Sequence, residues 1–600
     1  MIGVLGVLSK FGVLGKFGVL GKFGVLGKFG ALGEFGATRG ALALSTGVFL
    51  TAALAAPPAD ACTSMLVAKG ATTDGATIVT YNADAHELYG ELYYTPAGRH
   101  RAGAQRDVVE WDTGKLLGRI AQAPTTYSVV GNMNEHQLTI AESTFTGRKE
   151  LEAPAGIVDY GSLIYITLGR AKTAREAIKV MTNLVAEYGY ASTGESFSIA
   201  DPNEVWLMEM IGKGAGNRGA VWVARRLPDG MLSAHANQAR IRQFPLDEPD
   251  TTMYSPDVIS FARDKGWFKG ADEDFSFADT YNPLDFGAQR FSESRVWSIF
   301  RRAAPSLGLG PEYADGSAPD KRLPLWVKPD RKLTVKDAMA LMRDHFEGTP
   351  LDMTKDVGAG PYAVPYRWRP MTWEVDGKKY VHERAISTQQ TGFTFVAQMR
   401  AWLPAAVGGV LWFGVDDTAT TVYTPMYAGI RRVPKNFAEG VADRGKFSWD
   451  SSFWVFNWVA NQAYARWSDV SVDVQKEQRA LEDGFLADQA EVERTAVEKY
   501  RRSPEAARRY LTDYSVRQGE KVHTRWRRLG EALLVKYIDG NVRDEAGKVN
   551  HPKYTDTWYR HIVRDAGKRL EVREPKPAAA APVAKPAAKP AAKPGDARRG

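Results

Sequence analysis

Cysteine is almost missing from this 600-residue chain, in which Cys62 stands alone. Its scarcity excludes an intramolecular disulfide framework, a CxxC redox pair and a zinc site built from several thiolates. Histidine patterns are equally sparse. Nine histidines yield no HExxH, and His86, followed by Glu87, has no second histidine at ligand spacing, so neither a metal nor another cofactor is expected. A GxSxG elbow and a Walker loop are lacking too. Gly214, Gly216 and Gly219 satisfy GxGxxG, but a strand-like run follows where a dinucleotide-binding loop needs a helix, so the triplet reads as a hairpin turn. Past position 61 no unbroken apolar run reaches about 18 residues, and no membrane span is expected there. Apolar residues are nonetheless plentiful: 44% hydrophobic and 11% aromatic supply a large core. The length admits about four domains, or one large domain with appendages.

The net charge of +8 hints at an anionic partner, but the two ends account for it. Lys10, Lys16, Lys22, Lys28 and Arg39 face only Glu34 and Asp60 at the start, and six cationic residues face only Asp596 from position 575 onward. The body is therefore neutral, and a nucleic-acid partner loses its electrostatic footprint. The start is not a fold: from Phe11 a Gly-rich hexad repeats and cannot specify a core. Arg39, the apolar stretch 41–56 and Ala59-Asp60-Ala61 then follow the grammar of a secretory signal peptide. Cleavage after Ala61 makes Cys62 the mature N-terminus of an exported, periplasmic or secreted protein. An uncleaved anchor, or a misassigned start codon upstream of Arg39, is the competing reading.

The middle reads as mixed α and β. Residues 63–69 and 76–81 form a strand pair around a turn at Gly70 to Gly75, and further strands fall at 197–200, 205–211, 220–225, 392–398 and 407–413. Helices are expected over 172–188 and 333–346, each opened by a capping box, Thr173 with Glu176 and Thr334 with Asp337. Strands and helices in blocks, without βαβ alternation, indicate an α+β layered domain over 62–470. Residues 471–574 are charged, Gly-poor and helical, an extension of that domain. The tail 575–600 is Pro-Ala-Lys low complexity and is expected to be disordered.

Chemistry then concentrates on Cys62. A thiolate is a strong nucleophile that needs a proton acceptor, and an N-terminal cysteine carries one in its own α-amine, whose pKa near 7.7–8.0 suits neutral pH. Two other readings compete: a buried core cysteine, and a lipid anchor, although Ala59 stands where a lipobox prefers Leu.

Residues 62–70 (CTSMLVAKG), Asp74-Gly75 and 81–86 (YNADAH) resemble the PepD-like dipeptidases, cysteine members of the N-terminal-nucleophile hydrolases. Residues 131–136, 142–144, 194–202, 236–240, 408–414 and 425–427 continue that resemblance in order, over roughly 62–470. It implies a four-layer αββα sandwich, hydrolysis of dipeptides and no metal. It also implies roles. Asp84 orients the terminal amine and thiol, with an Asx turn as its alternative. Asn237 donates to the tetrahedral oxyanion, with plain structural hydrogen bonding as the rival. Related acylases place an Asn donor near Thr144, so here the donor is a backbone N–H or Thr144 itself. Those acylases also carry an Arg where this chain has Tyr81, which weakens transfer of their substrates. Arg295 matches the superfamily's late arginine, or forms a salt bridge on a helix face. Asn134 is a substrate-binding candidate or a left-handed turn residue, and Arg240 is a further substrate-binding candidate.

The expected reaction is acyl transfer. Cys62 Sγ attacks the scissile carbonyl while its α-amine takes the proton, and water hydrolyses the thioester. A dipeptidase also binds a free ammonium, for which Glu142 is the first candidate and Asp84 the second. Two alternatives remain open: an amidase of the penicillin V acylase or bile salt hydrolase type, and a non-enzymatic cell-surface binding protein using the helical extension. A homo-oligomer is compatible with either.

Overall fold

A computed structural model describes residues 62–153, 155–368 and 371–575. The leader and signal peptide expected over 1–61 and, but for residue 575, the tail expected to be disordered lie outside the described residues. All described residues fall within one compact unit.

The first hairpin forms as expected from two short runs rich in β-branched residues. Strand β1 (Thr63–Val67) pairs antiparallel with β2 (Thr77–Asp84) in the register Thr63↔Asn82 to Val67↔Ile78. Both strands are buried along their whole length, which places them in the middle of a sheet rather than at its edge. The following strands are β3 (Tyr94–Thr95), β4 (Val129–Val130), β5 (Met133–Asn134), β6 (Thr139–Phe145), β7 (Gly194–Ala200), β8 (Val205–Gly212) and β9 (Ala220–Arg226). Strands β10 (Leu232–His235), β11 (Thr252–Tyr254), β12 (Trp326–Val327), β13 (Thr391–Met399), β14 (Val410–Val415) and β15 (Thr424–Tyr427) complete the two main sheets.

Among the described residues, one sheet has seven strands in the order β12-β10-β1-β2-β13-β14-β15 and the other has eight in the order β11-β9-β8-β7-β6-β5-β4-β3. Every strand pairing within them is antiparallel. The two sheets meet at buried serines: Ser64 Oγ of β1 lies 2.7 Å from Ser198 Oγ of β7. Gly214, Gly216 and Gly219 form the β8–β9 turn, all three at positive φ, where glycine carries no Cβ penalty.

The longer helices are α1 (Tyr160–Leu168), α2 (Ala174–Tyr188), α3 (Ser294–Ala303), α4 (Val335–Leu341), α5 (Ser452–Ala465), α6 (Trp467–Arg502), α7 (Pro504–Lys536) and α8 (Asp556–Ala566). Leu163 and Ile166 of α1 and Ile178, Met181 and Val185 of α2 pack against Phe197, Ile199, Trp206 and Met208 of the eight-stranded sheet. Helix α2 begins as expected with Thr173 accepting from Glu176 N, but the Glu176 carboxylate turns to Lys172 N and leaves the capping box half closed. The full box forms at α4, between Thr334 and Asp337.

Two expected elements are shorter than the pattern indicates. The helix over 333–346 stops at Leu341, because the chain leaves it to bring Asp344 to Ser298 Oγ (2.5 Å) and Arg302 Nη1 (2.7 Å), and Phe346 takes φ +64°. The strand over 407–413 begins only at Val410, since residues after Pro404 make a short helical turn.

Helix α6 runs without a break through position 470, and α6 and α7 dock on the seven-stranded sheet. Buried ion pairs hold α6 there. Glu482 accepts from Arg343 at 2.5 and 3.0 Å and from Tyr423 N at 2.9 Å, while Glu493 accepts from Arg400 at 2.6 and 2.7 Å.

Candidate active site

Strand register gathers the site. In the β1–β10 pair Ser64 lies opposite His235, so continuing that register two residues outward sets Cys62 opposite Asn237. The β1–β2 register likewise sets Cys62 opposite Ala83, next to Asp84. Glu142 arrives from β6 of the other sheet, and Arg295 from the first turn of α3, just after a π-helical turn at Ala288–Glu293. Widened turns of that kind are frequent at functional sites.

Cys62 is 6% exposed. Its thiol donates to Glu142 Oε1 at 3.3 Å and lies 3.3 Å from Tyr81 Oη. Tyr81 Oη also donates a short hydrogen bond to the same Glu142 oxygen. Burial pushes the thiol well above its ordinary pKa, and the Glu142 and Asp84 carboxyls push it further; Tyr81 and the Asp84 backbone amide pull the other way. In this environment the sulfur is a protonated thiol at neutral pH, and it needs a base to become a nucleophile.

Arg295 is fully buried and ties the nucleophile to Asn237. Its Nη1 donates to Cys62 O at 2.8 Å and Thr63 Oγ1 at 2.7 Å, and its Nη2 to Asn237 Oδ1 at 2.8 Å. These contacts run to a carbonyl, a hydroxyl and an amide oxygen beside the nucleophile. Asn237 sits at φ +56°, a conformation uncommon for a residue with a Cβ and concentrated at functional sites. It is held there by Arg295 and by Nδ2 donating to Thr144 O at 2.6 Å.

Asp84 closes β2 as expected. Its Oδ1 accepts from Thr391 Oγ1 at 2.7 Å, its Oδ2 is buried without a hydrogen-bond partner, and burial lifts its pKa to about 7 against the pull of Thr391, Arg384 and Arg295. Burial raises the pKa of Glu142 too.

Three expected residues do other work. Thr144 spends its hydroxyl on Glu195 Oε1 at 2.8 Å rather than on an oxyanion. Asn134 is a β5 residue, not a left-handed one: its Nδ2 donates to Leu168 O and Ala171 O, both at 2.8 Å, and its Oδ1 caps His136 N and Leu138 N. The positive φ in that turn belongs to Gln137. Arg240 is buried in an ion pair with Glu293 at 3.0 Å and donates to Ala234 O and Pro324 O. The structure brings neither Asn134 nor Arg240 to the cysteine.

Tyr81, His235 and Glu195 were not expected in the site. His235 links Ser143 (2.6 Å) and Ser198 (2.8 Å), so it pins both sheets beneath Asn237, whose N donates to Ser143 Oγ at 3.2 Å. Burial keeps this imidazole neutral, with its pKa lowered to about 3. Among the described residues no three His, Cys, Asp or Glu side chains group as a metal site, and no helix is long and apolar enough to cross a membrane.

A buried thiol framed by carboxyls, an arginine and an asparagine is equipment for acyl transfer once a base takes its proton. The sequence profile of peptidase family C69 matches residues 61–480, and the chain belongs to that family. A probable dipeptidase of Salmonella dublin is 25% identical over 390 residues, covering 62% of this chain and 82% of the relative. A probable dipeptidase B of Streptococcus pyogenes serotype M1 is 23% identical over 495 residues (79% and 93%), and a dipeptidase of Bifidobacterium longum 25% identical over 421 (62% and 72%).

Proposed function

We propose that this chain is a dipeptidase that works through an N-terminal cysteine. The observation that carries the reading is Cys62 held between Glu142 and the Arg295–Asn237 pair, in a chain whose relatives are named dipeptidases. In the chain as translated the Cys62 nitrogen is a peptide nitrogen, which accepts no proton. Export with cleavage after Ala61 frees an α-amine beside Sγ, and that amine is the missing base.

Each group then has a role. The amine takes the thiol proton as sulfur attacks the carbonyl, and returns it to the leaving amino acid; water hydrolyses the thioester. Asp84 orients the amine. Asn237, its amide plane fixed by Arg295 and Thr144, donates to the oxyanion with a backbone N–H. Glu142 receives the substrate ammonium. Two facing sheets with helices outside them support a four-layer αββα domain over 62–470, which the helices of 471–574 extend.

N-terminal sequencing of the secreted protein tests the reading, with Cys62 expected as the first residue. Iodoacetamide is expected to abolish Ala-Ala hydrolysis and EDTA to leave it intact. A mature chain starting elsewhere, or a lipid mass on Cys62, refutes the mechanism. Preference for penicillin V over dipeptides transfers the protein to the amidases.

A further inference from the structure

Glu195 stands next to the nucleophile's carboxylate and has no role in the mechanism above. Thr144 lies directly opposite Glu195 in the β6–β7 pair, so Glu142, two residues along, shares its face and is its diagonal neighbour. Both carboxyls are buried, Glu142 at 2% and Glu195 at 0% exposure. On each, one oxygen is satisfied, Glu142 Oε1 by Tyr81 and Cys62 and Glu195 Oε1 by Thr144, while Glu142 Oε2 and Glu195 Oε2 are buried with no donor. Two ionised carboxylates are both acceptors, so their contact becomes a hydrogen bond only when one holds a proton. Like charges this close in a buried site do not both ionise.

The groups facing the pair come from every neighbouring element. They are Cys62, Tyr81 from β2, Tyr160 and Tyr165 from α1, Tyr190 before β7, and Asp112, which accepts from Tyr160 Oη at 2.9 Å. No lysine or arginine is among the strongest influences on either carboxyl.

We propose that Glu195 is a substrate-binding residue that shares one proton with Glu142, and that a dipeptide's α-ammonium displaces this proton when it enters, so that binding is coupled to proton release. The proton passes from the Glu142–Glu195 pair to solvent, and the ammonium takes over the two unsatisfied oxygens. This inference rests on the dipeptidase reading and deepens it.

Processed enzyme carrying Cys62→Ala is titrated with Ala-Ala and with N-acetyl-Ala-Ala by calorimetry in buffers of different ionisation enthalpy. Proton release is expected with the free dipeptide only. In the active enzyme, KM for Ala-Ala is expected to rise toward tenfold per pH unit as pH falls below the pair's shared ionisation. Glu195→Gln replaces the shared proton with a permanent N–H donor to Glu142. It is expected to raise KM for Ala-Ala, lose proton release and flatten the KM profile, while Glu195→Asp restores proton release and the pH dependence. A merely structural Glu195 would lower thermal stability and leave the proton count alone. Equal proton counts for free and acetylated dipeptide overturn the inference even if the variants fail to fold, as does an unchanged KM profile in Glu195→Gln. Failure of the active enzyme to hydrolyse Ala-Ala is a different result, and refutes the dipeptidase reading itself.

Discussion

Two sets of buried glutamates meet opposite fates in this molecule. Glu482 and Glu493, on the long helix α6, are each gripped by both terminal nitrogens of an arginine, Arg343 and Arg400. Glu142 and Glu195, on adjacent strands beside Cys62, face a thiol, phenols, a hydroxyl and each other. Burying a carboxylate costs several kcal/mol unless a cation and hydrogen bonds compensate. The helical extension is compensated from within the chain. The site leaves its carboxyls incompletely satisfied, which is the arrangement expected where the compensating cation is a ligand.

Two substitutions break that comparison most forcefully. Cys62→Ala removes the nucleophile, and dipeptide hydrolysis is expected to fall by about 10⁴-fold or more while the fold persists, since the side chain lost is small and the loss is chemical. Circular dichroism with an activity assay separates the two outcomes; residual activity within tenfold of the parent means another group attacks. At the other pole, Arg400→Met strands Glu493 in the interior, at an expected cost of about 3–5 kcal/mol in unfolding free energy. Adding Glu493→Leu is expected to recover most of it, because the desolvation penalty goes with the charge. A double variant no more stable than the single would show that packing, not charge compensation, holds α6 in place.

Glu142→Gln sharpens the contrast, because it acts on recognition rather than on folding. Losing one charge-assisted contact is expected to lower kcat/KM for free dipeptides by about 10- to 150-fold, or about 1.5–3 kcal/mol. N-acetylated analogues, which carry no ammonium, are expected to lose much less, and the melting temperature to change little or rise. Equal losses on both substrates move ammonium recognition to Asp84.

Much of the active site is visible in the linear sequence because its residues sit at strand ends that local patterns reveal. The strand-like runs at 63–69 and 76–81 around the Gly70 to Gly75 turn mark the hairpin that carries Cys62 and Asp84, and the small-residue run before Asn237 marks a neighbouring strand. Glu195 lay hidden for a topological reason. It neighbours Glu142 only through the β6–β7 register, across 53 residues that include two helices, and no local pattern encodes a register between distant strands. Tyr81 stood out as a departure from the arginine of related acylases, yet its hydroxyl reaches Glu142 only because the two sheets pack face to face. Arg240 and Asn134 misled for the converse reason: polar residues in matching blocks also serve backbone carbonyls, and these two do.

A pH comparison tests whether Asp84 belongs with the uncompensated carboxyls. Its pKa rises from 3.8 to about 7, chiefly by burial. A carboxyl whose pKa is raised in the folded state binds its proton more tightly there than in the unfolded chain. Between pH 3.8 and about 7 the native protein holds this proton and the unfolded chain does not, so Asp84 lowers stability as pH rises, by up to about 1.4 kcal/mol per pH unit. Above pH 7 the penalty is complete and flat. His235, its pKa lowered to about 3 from 6.5, works in the opposite direction over pH 3 to 6.5, where the unfolded chain alone takes up a proton. The total curve therefore conceals both groups, and the difference between parent and Asp84→Asn isolates one. Denaturant unfolding from pH 4 to 8 is expected to show the variant gaining on the parent steadily up to about pH 7 and then running parallel to it. A difference that is constant from pH 4 upward would mean that Asp84 is ionised throughout, with Arg384 and Arg295 outweighing burial, and would place it with Glu482 and Glu493 rather than with Glu142.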